Sequence, residues 1–118
     1  MEVQIFGNRK SADTRKALRF FAERRVTTHF VDLARKAPSQ RELARFAQRF
    51  GAEAVIDRDA PRYAELGLHA AHLSPERILE RAETEPRILR TPLIRWRNHV
   101  LVGFDEETLR AWVAEAGA

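Results

Sequence analysis

The sequence predicts an α/β fold with a mixed four-stranded sheet, in the order β-α-β, helical insert, β-β-α. Three observations carry that prediction. Two short strand-like runs near the start flank one amphipathic helix, the long middle is spaced as helix, and two further strand-like runs separated by two residues precede a last helix. Two strands joined by one helix make a right-handed crossover whose strands lie parallel, whereas a two-residue connection makes an antiparallel hairpin. Both pairings in one sheet make it mixed.

Val3-Gln4-Ile5-Phe6 reads as the first strand, and the turn-like Gly7-Asn8-Arg9-Lys10 leads to Ser11, a good helix N-cap. Thr14, Ala17, Leu18 and Phe21 give the helix a buried face, and Arg24-Arg25 suits its negative C-terminal end. Thr28 to Asp32 is the second strand. Ser39 and Glu42 then have capping-box spacing ahead of Leu43, Phe46, Ala47 and Phe50 at i, i+3, i+4 and i+7, and Gly51 ends that helix as its C′ residue. Shorter helical pieces follow near 52–56, 60–66 and 75–82. Leu93-Ile94-Arg95-Trp96 and His99 to Gly103, separated by Arg97-Asn98, form the hairpin. Asp105 is expected to cap a final helix with Leu109, Trp112, Val113 and Ala116 on one face. Trp96 and Trp112 are expected in or near the core, and Arg95 and Arg97 on the solvent side.

A chain of 118 residues, 44% hydrophobic, is long enough for one core and short for two, so a single domain over 1–118 is expected, with a helical insert at about 37–87. Charged residues are 32% of the chain and alternate in sign, which argues for order up to the last few residues. No apolar run approaches the roughly 18 to 20 residues of a membrane span, and Met1 leads into a strand without a leader pattern. The expected setting is cytoplasmic, with no membrane partner. The net charge of +4 is spread along the chain and falls short of a nucleic-acid footprint, so no direct nucleic-acid binding is expected. His69 and His72 lack further ligands and read as surface residues, so neither a metal nor another cofactor is predicted.

The chain contains no cysteine. Disulfides, thiolate nucleophiles and cysteine-held zinc are thereby excluded.

Several segments carry a resemblance. Gly7 to Ala17, GNRKSADTRKA, looks like an active-site loop that ordinarily holds cysteine at the Ser11 position, and a second cysteine at Thr14 in Cys-x-x-Cys members. Pro38-Ser39 through Glu42-Leu43, the Phe50-Gly51 break, Tyr63-Ala64-Glu65-Leu66-Gly67-Leu68, and Glu85-Pro86 through Arg90-Thr91-Pro92-Leu93-Ile94 follow in matching order. Together they resemble the arsenate reductase (ArsC), Spx and YffB group of thioredoxin-like folds, as a cysteine-less divergent member. The resemblance implies a cis peptide before Pro92, facing the N-terminus of the first helix. It also implies arsenate reductase activity linked to glutathione or thioredoxin, but Ser11 replaces the nucleophile, so no catalytic residue is assigned.

The arginines that would clamp the oxyanion are absent as well: Thr91 precedes the proline, Phe104 follows the last strand's glycine, and Asp57 stands at or beside the insert position, with Arg58 next to it. Joint loss of nucleophile and clamp reads as natural loss of thiol chemistry. What remains expected is a site for an oxyanion or an extended peptide at Arg9, Lys10, Ser11, Ala12, Thr14, Arg90, Thr91 and Pro92, using helix N-terminal amides. The bland alternative is that Ser11 is only a cap and the arginines are solvated. Spx-like members dock on the C-terminal domain of the RNA polymerase α subunit through a surface that includes the glycine matched by Gly51, so this partner is a further expectation, although a helix end favours glycine in any case. Oligomeric state is left open.

Overall fold

The computed structural model describes residues Met1–Gly117; Ala118, the last of the terminal residues, lies outside the described residues. The chain forms two compact units, one of residues 1–31 and 91–118 and one of residues 32–90. No helix among the described residues is long and apolar enough to cross a membrane.

The first unit is built on a sheet of four strands among the described residues: β1 (Glu2–Gly7), β2 (Thr27–Asp32), β3 (Leu93–Trp96) and β4 (His99–Val102), ordered β2-β1-β3-β4. β1 and β2 are joined by α1 (Ala12–Glu23), the crossover that makes neighbours parallel. β3 runs antiparallel to β1, with Phe6 opposite Leu93, and to β4, with Trp96 opposite His99. The sheet is therefore mixed, as expected. Alternation places Val3, Ile5, Ile94, Trp96 and Leu101 on one face, where they meet Ala17, Phe20 and Phe21 of α1 and Leu109 and Trp112 of α5 (Glu106–Glu115). Both helices thus cover the same side of the sheet. The two indoles lie 6.3 Å apart, and His99 stacks on Trp96 at 4.9 Å. Arg95 is half-buried and donates through Nε to the Arg97 carbonyl, and Arg97 is exposed at the hairpin turn.

Helix ends explain where these elements start and stop. Ser11 caps α1 by accepting the Thr14 amide at 3.2 Å. At the other end, Val26 N–H donates to Phe21 O and Arg25 N–H to Ala22 O, the double bond of a Schellman ending. Arg25 occupies the left-handed position of that motif, φ 57°, where glycine is usual. Arg24 adds a third lock, donating to Phe20 O while its guanidinium covers the Phe20 ring at 3.7 Å. Phe20 is thus a core residue that the expected face did not include, whereas Leu18 is only half-buried. Asp105 departs from expectation. It stands at the N-cap of α5, but its carboxylate accepts from the Thr108 hydroxyl at 2.8 Å and caps no backbone amide.

The second unit contains α2 (Gln40–Phe50), α3 (Pro61–Glu65) and α4 (Pro75–Thr84), with 3-10 turns at Ala52–Val55, Leu68–Ala70 and Pro86–Ile88. The capping box of α2 is present in both directions, Ser39 Oγ to Glu42 N–H and Glu42 Oε1 to Ser39 N–H. Leu43 and Phe46 are buried as expected. Phe50 is not: at 38% exposed it falls in the last turn, beyond the buried row of α2. An antiparallel bridge, Ile56 opposite Leu89, ties the ends of the helical region together, with Asp57 N–H on Ile88 O and Arg90 N–H on Val55 O, each at 2.8 Å. Arg62 of α3 clasps Glu85 at the end of α4 through two parallel hydrogen bonds of 2.9 and 3.0 Å. That fork, above all, holds the Glu85 carboxyl below the ordinary carboxylate range.

Two outcomes are expected. Arg25→Gly should stabilise the protein by about 0.5–1 kcal/mol, the left-handed penalty less the extra freedom of unfolded glycine, read as a higher thermal midpoint. Because the folded carboxyl of Glu85 is shifted down, its stabilising effect is complete above the ordinary carboxylate range and fades as pH falls through the lowered value. Urea unfolding followed by circular dichroism should show Glu85→Gln weaker than the parent at pH 7, with the gap closing in acid. A gap of constant size at all pH values is the contrary result.

Candidate functional site

The loop from β1 to α1 is built around a close approach. Gly7 is buried, and a methyl group placed on it would lie 2.6 Å from Thr14 Cγ2 and 2.7 Å from Thr14 Oγ1. The strand end therefore touches the first turn of the helix, with no room for a side chain between. Thr14 is fully buried, and its hydroxyl accepts the Asn8 amide at 3.4 Å. Asn8 organises the remaining turn: its side-chain oxygen accepts from Lys10 N–H at 2.9 Å, and its carbonyl from Ser11 N–H at 2.8 Å.

The side chains expected to bind are placed by this turn. Arg9 lays its guanidinium 4.7 Å from the centre of the Phe30 ring on β2, while its carbonyl accepts from Arg15. Lys10 and Ala12 are exposed, and Ser11 is half-buried. Asp13 adds a carboxylate to the first turn, 3.8 Å from Lys16, so one negative charge already answers the positive helix end.

β3 brings the other half to the same end of the sheet. Phe6 and Leu93 are paired, so Gly7 and Pro92 follow and precede that pair side by side. The Thr91-Pro92 bond is cis, as the resemblance implied. Pro92 is buried and its carbonyl accepts Gly103 N–H at 2.7 Å; Thr91 is half-buried. Phe104, the residue after that glycine, packs edge-on against Phe20 at 6.4 Å and joins the core.

Seven of the expected residues, Arg9, Lys10, Ser11, Ala12, Thr14, Thr91 and Pro92, thus belong to the sheet unit. Arg90 and Gly51 belong to the helical unit. There Arg90 Nε donates to Ile56 O at 3.2 Å. Gly51 has φ 90° and ψ 151°, a backbone region open almost solely to glycine, with nothing within 4 Å of an added methyl. Its backbone, rather than its surroundings, requires glycine. Arg58 meets the Tyr63 hydroxyl at 3.5 Å, which with Glu53 nearby holds its guanidinium above the ordinary value, so it is a fixed cation.

Chemically, Ser11 accepts one amide and, among the described residues, no His, Asp or Glu side chain hydrogen-bonds its hydroxyl. A hydroxyl with no base to take its proton is a poor nucleophile. The feature that sequence reasoning missed is a groove at Gly51, bordered by Phe50. Its signal was the last apolar position of α2, one residue before the helix breaks.

Residues 6–112 match the model of the ArsC family. The chain belongs to the ArsC family. Among relatives of the family, it is 25% identical over 115 residues to the global transcriptional regulator Spx 2 of Oceanobacillus iheyensis, spanning 96% of this chain and 84% of that protein. Its fold is similar to that of a YFFB protein, with a TM-score of 0.83 at 21% identity over 92% of this chain and 96% of the other. It is also similar to an arsenate reductase from Vibrio cholerae, with a TM-score of 0.81 at 22% identity over 94% and 97%. These structural likenesses establish the thioredoxin-like fold, and the cysteine-less sequence makes this chain a cysteine-less member of the family.

The Gly7 contact has a measurable consequence. Gly7→Ala should cost about 1–3 kcal/mol by overpacking against Thr14. Thr14→Ala in the same chain should recover part of that loss, because it removes the two nearest atoms. Additive losses in the double-mutant cycle would show that the two residues do not press on each other.

Proposed function

We propose that this ArsC-family chain has no thiol redox activity and works by binding, at the Ser11/Pro92 end of the sheet or on the surface of the helical unit. The observation that carries the reading is the state of Ser11: a half-buried helix cap, engaged with Thr14, with no base on its hydroxyl among the described residues. Phe104 supports it from the other side. Where the family resemblance implies an arginine for the oxyanion, an aromatic ring is committed to the core. A disulfide cycle needs a thiolate, and a serine hydroxyl stays neutral at pH 7.

The ligand proposed for the sheet end is an oxyanion or an extended peptide lying beside Thr91. The exposed Ala12 sits in the first turn of a twelve-residue helix, with Lys10 adjacent, and these favour negative charge. Asp13 opposes it, which favours a peptide over a free anion. A second reading is docking on the C-terminal domain of the RNA polymerase α subunit, favoured by the similarity to a regulator named Spx over 115 residues. Both readings go with a cytoplasmic protein.

An assay with arsenate and either glutathione with glutaredoxin or thioredoxin should yield no arsenite above the protein-free blank. Ser11→Cys should remain inactive, since a thiol restored without the arginine clamp lacks the charge that stabilises the attacked oxyanion. Arsenite produced at enzymatic rate by the unaltered chain would overturn the proposal. For the second reading, a purified α C-terminal domain should retain the protein equally with and without dithiothreitol, and no retention excludes it.

A further inference from the structure

The helical unit contains an open groove of about 370 Å³, a size typical of sites that seat side chains or small ligands. Its walls include Ile56, Tyr63 and Leu68, all buried. Its lips include Phe50 and Leu73, 38% and 39% exposed, the large apolar side chains that the fold leaves in water among the described residues. Exposed large apolar side chains lining a depression are the composition of a contact surface rather than of a solvated one.

A second observation adds charge. Arg41, Arg45 and Arg49 recur every fourth residue along the exposed stripe of α2 that ends at Phe50. The Arg49 guanidinium lies 5.0 Å from the centre of the Phe50 ring, so the stripe reaches the lip itself. Arg41 and Arg45 have no ion-pair partner among the described residues, although acidic side chains supply partners for Arg62, Arg77 and Arg110 elsewhere. Arg58 adds a fixed cation on the groove wall, against one carboxylate there, Glu53. From Arg41 to Arg49 the stripe extends about 12 Å, two turns of helix.

We propose that this groove and stripe dock an amphipathic helix of another protein, with bulky apolar residues one turn apart seated between Phe50 and Leu73 and carboxylates running along the arginines. This rests on the reading of the chain as a binding module and specifies the partner's chemistry. A small molecule in the groove would leave the stripe unused. A nucleic acid would use the arginines but has no aliphatic side chains for the lips. An acidic amphipathic helix satisfies both features with one element.

The test uses two fluorescein-labelled peptides with leucines at i, i+4 and i+7, one carrying glutamates on the flanking face and one carrying lysines. Fluorescence anisotropy with the full chain should show binding of the glutamate peptide on the order of ten micromolar, weakened by added salt, and little binding of the lysine peptide. Phe50→Ser with Leu73→Ser should weaken the glutamate peptide about tenfold or more. Arg45→Glu with Arg49→Glu should weaken it similarly and confer binding of the lysine peptide, a gain that misfolding cannot produce. All four sites are exposed, and circular dichroism checks that the helices are kept. Equal binding of both peptides, no binding of the glutamate peptide, or unchanged affinity in either double variant overturns the proposal. If the peptides are silent and arsenate is also untouched, this inference fails alone; arsenite formation defeats the underlying reading instead.

Discussion

The contact between Gly7 and Thr14 is the constraint on which the Ser11/Pro92 end of the sheet unit depends. A backbone with no side chain lets β1 run directly against the first turn of α1. That proximity buries the Thr14 hydroxyl and pairs it with the Asn8 amide, which in turn fixes the Asn8 turn and delivers Ser11 to the cap. In this geometry Ser11 and Thr14, the positions at which the resemblance implies cysteines, serve architecture. One closes a helix and the other fills the space beneath a loop.

The opposite side of the same end is equally committed. Pro92 is buried and tied to Gly103, and Phe104 extends the aromatic packing begun by Phe20 and Phe21. Packing Phe104 at this place contributes to folding by removing a ring from water. Ser11 and Phe104 are alike in one respect: each is engaged by the fold, one as a helix cap and the other against the core.

Much of this was legible beforehand. Capping residues are local signals, so Ser11, Ser39 and the short Arg97-Asn98 connection announced their elements correctly from a few neighbours. Cis Pro92 was reached through the resemblance, not through its neighbours. What local pattern could not supply was competition. Asp105 had a free choice between a backbone amide and the Thr108 hydroxyl, and took the hydroxyl. Phe50 obeyed the helical period yet stayed exposed, because period says which side chains align and not how far the packed surface extends. The pairing of Arg62 with Glu85 spans 23 positions, and no spacing rule reaches that far.

The location of the aromatic residues has a practical corollary. Both tryptophans, Trp96 and Trp112, sit in the core of the sheet unit beside His99, while the chain's single tyrosine, Tyr63, is buried in the helical unit. Nature has therefore supplied each unit with its own optical reporter. Indole emission tracks the melting of one, phenol absorbance tracks the other, and a difference between the two curves measures directly how far the units unfold as separate bodies.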